Sequence, residues 1–190
     1  MVTSDLALAK RASGIRLVLT DCDGVLTDNG VYVTAAGAEI VRFSRRDGLG
    51  VERLRTLAGV ETGIVSREIS EAVAKRAQKL GITELHLGVA DKEACVLRVA
   101  AARNLDPSRI AFIGDDVNDL AALAAAGFSA APADAIQAVR RSVHYVCPSP
   151  GGHGAFRDVA ELILAALPGE TLRESPKGGS DGVRPAPSRS

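Results

Sequence analysis

The sequence predicts an α/β fold, a Rossmann-like parallel sheet with helices on both faces. Three observations carry that reading. Short apolar, β-rich runs alternate with helical stretches from Ile15 to about Leu167, the pattern of a parallel sheet with helical crossovers. At 190 residues the chain suffices for one domain with a full core plus a tail. Two of the apolar runs end in clustered aspartates, and the carboxyl ends of strands are where open α/β sheets bind ligands.

In chain order, residues 1–14 (MVTSDLALAKRASG) form an N-terminal extension, a short helix or a ragged end. They lack the charged start, apolar stretch and cleavage site of a signal peptide. Strands are expected at Ile15–Thr20, Val60–Val65, Glu84–Leu87, Ile110–Ile113, Phe128–Ala130 and His144–Val146. Helices are expected at Asp47–Leu57, Ile69–Leu80, Lys92–Asn104, Val117–Ala126, Ala135–Arg140 and Gly154–Leu167. Asp47 and Asp91 read as helix N-caps, and Gly81 as a helix stop. Val31–Phe43 breaks the alternation and reads as a β-hairpin flap with Gly37 in its turn. The folded part is thus 15–167. Residues 168–190, rich in Pro, Gly and Ser, read as a disordered tail.

Composition removes several function classes. Lys+Arg and Asp+Glu are both 23, so no basic field serves nucleic acid, and 3% aromatics offer few stacking platforms. No apolar run is long enough for a membrane span. Cys22, Cys95 and Cys147 are odd in number and scattered, which suits reduced, buried thiols in a cytoplasmic protein. The histidines at 86, 144 and 153 show no zinc-ligand spacing.

The chemistry concentrates in DCDG and GDDVND. Strand side chains alternate, so Asp21 and Asp23 project together from a strand end while Cys22 turns to the core. Two close carboxylates repel and need a cation or a shared proton. Asp115, Asp116 and Asp119 form a second cluster at another strand end. A turn, or a helix cap with solvated acids, accounts for either cluster alone. Two at one sheet edge describe a hard, all-oxygen site suited to Mg²⁺ with a phosphate ligand. Ser66, at the end of the second strand, offers a hydroxyl to phosphoryl oxygens. Lys92 opens a helix, where a cation opposes the macrodipole unless an anion stands close by. An EF-hand is excluded, because its glycine and closing glutamate positions hold Leu26 and Tyr32.

The order acid pair, Ser66, Lys92, acid cluster resembles the haloacid dehalogenase phosphatase superfamily over roughly Ile15–Leu164. The spans between the motifs are too short for the inserted cap domain found in many members. The hairpin with FSRRDGLG, the run GFSAAPADA and GGHGAFRD are similar to the capless subgroup that includes the 3-deoxy-D-manno-octulosonate 8-phosphate phosphatases. The phosphatase-like domain of some acylneuraminate cytidylyltransferases shares these segments.

The resemblance implies a Mg²⁺-dependent hydrolase of a sugar phosphate monoester, assembled as a homotetramer through its hairpins. It implies Asp21 as nucleophile, Asp23 as general acid/base, and Ser66 and Lys92 on the phosphoryl group. Asp21, the Asp23 carbonyl and Asp115 would hold the metal, with Asp116 and Asp119 behind them. Arg45, Arg46 and Arg157 are candidates for a substrate carboxylate. The substrate expected is 3-deoxy-D-manno-octulosonate 8-phosphate; a nonulosonate 9-phosphate, another sugar phosphate, or a non-catalytic oligomerisation domain are the alternatives. Two departures touch the sugar side. Arg67-Glu68 stands where the subgroup commonly has Gly-Arg, and His153 stands at an arginine of its GGRGA loop. A phospho-receiver module is disfavoured, since its accepting Asp comes from a middle strand and Val65–Ser66 supplies none.

Overall fold

Residues 2–167 are described by a computed structural model. Helix α1 (Val2–Ser13) leads into β1 (Leu17–Thr20), followed by a hairpin of β2 (Thr27–Val33) and β3 (Glu39–Phe43). Then come α2 (Arg45–Arg53), β4 (Glu61–Val65), α3 (Glu71–Leu80), β5 (Glu84–His86), α4 (Lys92–Ala102) and β6 (Ile110–Ile113). The chain continues through α5 (Leu120–Ala125), β7 (Phe128–Ala131), α6 (Gln137–Ser142), β8 (Tyr145–Val146) and α7 (Ala155–Ala166). The expected tail at 168–190 lies outside the described residues.

Six strands form one parallel sheet in the order β5-β4-β1-β6-β7-β8. The connection order reverses beside β1, so the crevice beyond the carboxyl ends of β1 and β6 is the topological switch point, the usual ligand site of such sheets. Alternation along β1 divides the core. Val18 packs with residues of α1, α2, α3 and α7, whereas Leu17 and Leu19 pack with α4, α5 and α6. The sheet is therefore apolar on both faces, as a doubly wound sheet requires.

The hairpin stands apart as a two-stranded antiparallel sheet. Its tip turns at Thr34–Ala38, where Gly37 adopts φ +80°. β2 is longer than the apolar run suggested, because it begins at Thr27 and passes through a bulge before Val31.

Several boundaries shift for local reasons. The N-cap of α2 is Ser44, whose hydroxyl accepts the Arg46 N–H, not Asp47. Asp47 lies buried in the first turn and accepts the Arg157 N–H at 3.0 Å, tying α2 to the start of α7. Burial pushes its carboxyl above the usual range. The helical stretch to Leu57 splits, with α2 passing into a π-helical turn over Leu54–Ala58 that Gly59 closes. Asp91 and Gly81 cap α4 and α3 as expected. α1 lies against α7 and buries Ala12.

Asp47 joins two elements, so Asp47→Ala should cost about 1.5–3 kcal/mol. Ser44→Ala should cost about 1 kcal/mol, as for loss of an N-cap. Thermal melts of the two variants check this order.

Candidate active site

The sheet register brings the two acidic clusters together. β1 and β6 pair with Thr20 opposite Ile113, and the Asp21 N–H extends the ladder to the Ile113 carbonyl at 2.9 Å. Asp21 and Asp115 therefore emerge side by side from neighbouring strands. Oxygens of Asp21, Asp115 and Asp119 lie within 4.8 Å of one another. Gly24 makes the turn after DCD at φ +81°, and any side chain there would collide with the Asp115 carboxylate. The loop is backed by Gly151, which packs so closely on the Gly24 carbonyl that a Cβ does not fit.

Lys92 is the cation of this cluster. It is 2% exposed, and its Nζ lies 2.8 Å from Asp21 Oδ2 and 2.6 Å from Asp119 Oδ1. The anion that its place at the start of α4 called for is thus a pair of carboxylates. Burial works against the ammonium, but the two acids outweigh it and hold its pKa above the usual lysine value. Asp119 is fully committed, since its Oδ2 also accepts the Asp115 N–H at 2.9 Å and the Asp116 N–H at 3.3 Å. Although close enough to join a metal-binding trio, Asp119 is better described as the residue that fixes Lys92 and the Asp115 turn. Asp116 caps the 3₁₀ turn Val117–Asp119.

One ammonium does not neutralise this many acids. Asp21 is pushed from 3.8 up to about 7 by burial and by Asp119, against the pull of Lys92. Asp115 reaches about 7 through burial and the charges of Asp21, Asp119 and Asp116. Asp23 is raised as well, chiefly by burial, while a hydrogen bond from Thr27 Oγ1 at 3.3 Å opposes the rise. Cys22 is fully buried in the core and its thiol is pushed up by burial, which leaves it inert. Oxygen donors with surplus negative charge are the donor set a hard divalent cation requires.

These residues line a cavity of about 320 Å³. Asp21, Lys92, Asp115 and Asp116 lie on its wall together with Asp23 and Ser66. Ser66 is 1% exposed, and its Oγ accepts the Glu68 N–H at 3.1 Å, which leaves its proton for another acceptor. The loop after Ser66 is pinned by Ser66 N–H to the His86 carbonyl and by Val89 N–H to the Ser66 carbonyl.

The three arginines are placed elsewhere. Arg157 pairs with Glu161 at 2.7 Å. Arg45 and Arg46 line a separate cavity of about 520 Å³ with Arg42 and His153. Arg42 is held there by Asp28 at 3.2 Å and lies 3.3 Å from His153 Nε2. Conversely, Asn29, Arg67, Glu68 and Asn118 line the acid cavity without having been singled out as site residues. Arg67 and Glu68 stood out only as departures from the subgroup, and Asn118 only as part of GDDVND. Asn29 carried no signal, because its placement depends on the bulge in β2.

A capless α/β sheet with an Asp–Lys–Asp cluster at its switch point defines a phosphotransfer-type hydrolase, and the chain belongs to the haloacid dehalogenase-like hydrolases. That family's model matches residues 46–127. The chain is 38% identical to the 3-deoxy-D-manno-octulosonate 8-phosphate phosphatase of Yersinia pestis over 157 residues, 83% of each protein. It is 35% identical to the phosphatase of the same name from Haemophilus influenzae, over 90% of this chain and 94% of that one. A crystal structure of the Moraxella catarrhalis 3-deoxy-D-manno-octulosonate 8-phosphate phosphatase in complex with magnesium, phosphate and KDO superposes with a TM-score of 0.83. It is 33% identical and covers 85% of this chain and 92% of that one.

Lys92→Met leaves two buried carboxylates without their cation and should cost roughly 3–5 kcal/mol in a urea melt. The carboxyl shifts set a pH dependence. Asp21 and Asp115 ionise near 3.8 in the unfolded chain and near 7 in the fold, so in between the folded state binds more protons. Their contribution is full below the lower value and is lost as pH rises through the upper one. With a chelator present, the melting temperature should fall from about pH 5 to about pH 8, and Mg²⁺ should restore it at the upper end. A melting temperature indifferent to Mg²⁺ at the upper end would count against this acid cluster as the metal site.

Proposed function

We propose that residues 15–167 form a Mg²⁺-dependent phosphatase that hydrolyses 3-deoxy-D-manno-octulosonate 8-phosphate through an aspartyl-phosphate on Asp21. The observation that carries this reading is the buried Asp21–Lys92–Asp119 arrangement beside Asp115, in a chain similar over most of its length to phosphatases of that substrate.

Asp21 and Asp115, with the Asp23 carbonyl, are the residues that would hold Mg²⁺; the bound ion neutralises charge between the nucleophile and the phosphoryl group. An Asp21 oxygen attacks phosphorus in line, forming an O–P bond as the bond to the sugar oxygen breaks. Asp23 gives its proton to the departing oxygen; its raised pKa favours the protonated form that this requires. Ser66 Oγ–H and Lys92 Nζ stabilise the equatorial phosphoryl oxygens. Asp23, now a carboxylate, takes a proton from the water that attacks phosphorus and frees Asp21. Asp119 acts through Lys92, and Asp116 by holding the turn that presents Asp115.

Arg45 and Arg46 suit the carboxylate of an ulosonate by fork geometry, from their own cavity or a neighbour's. Arg157 would first have to leave Glu161.

Assembly is part of the proposal. An isolated two-stranded hairpin is marginal in water, yet this one exposes Val31, Tyr32, Val33 and Ile40 at 53–67%. Packing four hairpins together would bury them and cover the open sites, giving a homotetramer. Three free, buried cysteines suit a cytoplasmic protein, and among the described residues no helix is long and apolar enough to cross a membrane.

Asp21→Asn should lower phosphate release from 3-deoxy-D-manno-octulosonate 8-phosphate by at least about 10³-fold while the melt stays cooperative. Substantial Mg²⁺-dependent turnover in that variant would remove Asp21 as nucleophile, and a wild-type preference for hexose phosphates would overturn the substrate. Tyr32→Asp with Val33→Asp should convert a tetramer to smaller species by sedimentation velocity.

A further inference from the structure

Asn29 sits in the acid cavity in a conformation that asparagine adopts at a cost. Its φ is +61°, in the left-handed region, and it lies in the bulge where the β2–β3 register shifts between Thr27 and Val31. Among the described residues one other non-glycine, Asn104, has positive φ, and it ends the α4 segment, where left-handed residues are ordinary. At Asn29 a glycine would satisfy the backbone without strain. What the asparagine adds is a carboxamide on the cavity wall.

The backbone that carries that carboxamide is tied to Asp23 through one hydroxyl. The Asn29 N–H donates to Thr27 Oγ1 at 3.3 Å. The same hydroxyl donates to Asp23 Oδ1 at 3.3 Å and accepts the Gly24 N–H at 3.3 Å. One hydroxyl therefore sets both the carboxyl of the proton donor and the backbone that carries Asn29. Most other cavity walls are charged groups suited to metal and phosphate. An exposed carboxamide instead offers two donors and an acceptor, a match for the hydroxyl groups of a sugar.

We propose that Asn29 is a specificity-determining residue, its carboxamide hydrogen-bonding hydroxyl groups of the sugar leaving group. The inference rests on the sugar-phosphate reading above and assigns that site a contact on the leaving-group side. A contact to hydroxyl groups that keep their charge during the reaction binds ground state and transition state alike and enters mainly through KM.

The test compares wild type with Asn29→Gly, which keeps the left-handed bulge and deletes the carboxamide. Phosphate release is measured with Mg²⁺ from 3-deoxy-D-manno-octulosonate 8-phosphate and from phenyl phosphate, which has no hydroxyl groups to recognise. Asn29→Gly should raise KM for the sugar substrate about tenfold with kcat changed less than about threefold. The ratio of kcat/KM between the sugar and phenyl esters should fall about tenfold, with no loss of melting temperature. An unchanged ratio overturns the inference, as does an equal loss on both esters, which marks a structural role. In either case wild-type turnover of the sugar substrate stands. Absence of phosphate release by the wild type would instead overturn the proposed function, and this inference with it.

Discussion

The Lys92 ammonium, held between Asp21 and Asp119, is the interaction on which the site depends. It adds α4 to a pair that the sheet already places side by side, joining the end of β1, the start of α4 and the 3₁₀ turn after β6. Removing charges from water costs several kcal/mol each, and the loss is offset only where geometry and further hydrogen bonds are good. Here they are, because Asp119 also accepts two backbone N–H groups and Asp21 Oδ1 accepts the Cys22 N–H at 2.7 Å. The network thus aligns Asp21, the proposed nucleophile, with its cation before any ligand arrives.

The same network is deliberately short of positive charge. Lys92 serves Asp21 and Asp119, which leaves Asp115 penalised first by burial and then by the carboxylates around it. The surplus makes the site a receptor for a divalent cation and limits which cations suit it, since every available donor is a hard oxygen. Glycines at 24 and 151 permit the approach of the two loops that this requires. The geometry of the acid site is therefore bound up with backbone packing as much as with the acids.

Much of the fold was legible because each strand carries its own apolar run and each helix its own period, both local signals. The acid site was legible for a related reason. Asp21 and Asp115 lie just beyond strand ends, and a parallel sheet places strand ends together whatever the detail of the connections. The mistakes fell where tertiary contacts override local preference. Asp47 has the chemistry of an N-cap, but Ser44 takes that place, while Asp47 is drawn onto the first turn of α7. The long helix after it changes to a π-helical turn that no periodicity announced. Arg157 looked available until α7 placed Glu161 one turn away. Asn29 was invisible, because a bulge has no hydrophobic signature and a single asparagine seldom announces positive φ.

A separation of roles follows from where these residues sit. The groups proposed to act on the phosphoryl unit come from strand ends and the first turn of a buried helix, held by hydrogen bonds on several sides. Groups proposed to face the leaving sugar come from the β2 bulge and the loop after Ser66, where Asn29, Arg67 and Glu68 are exposed. Substitution at the first set disturbs the core, because each carboxylate or ammonium removed leaves another buried and unpaired. Substitution at the second set disturbs little but affinity. A scaffold so arranged can change the sugar it accepts at small cost in stability while its phosphoryl chemistry stays constrained. The proposed sugar side is where Arg67-Glu68 stands in place of the Gly-Arg that the resemblance led one to expect, and where a carboxamide occupies a position that glycine would fill with less strain.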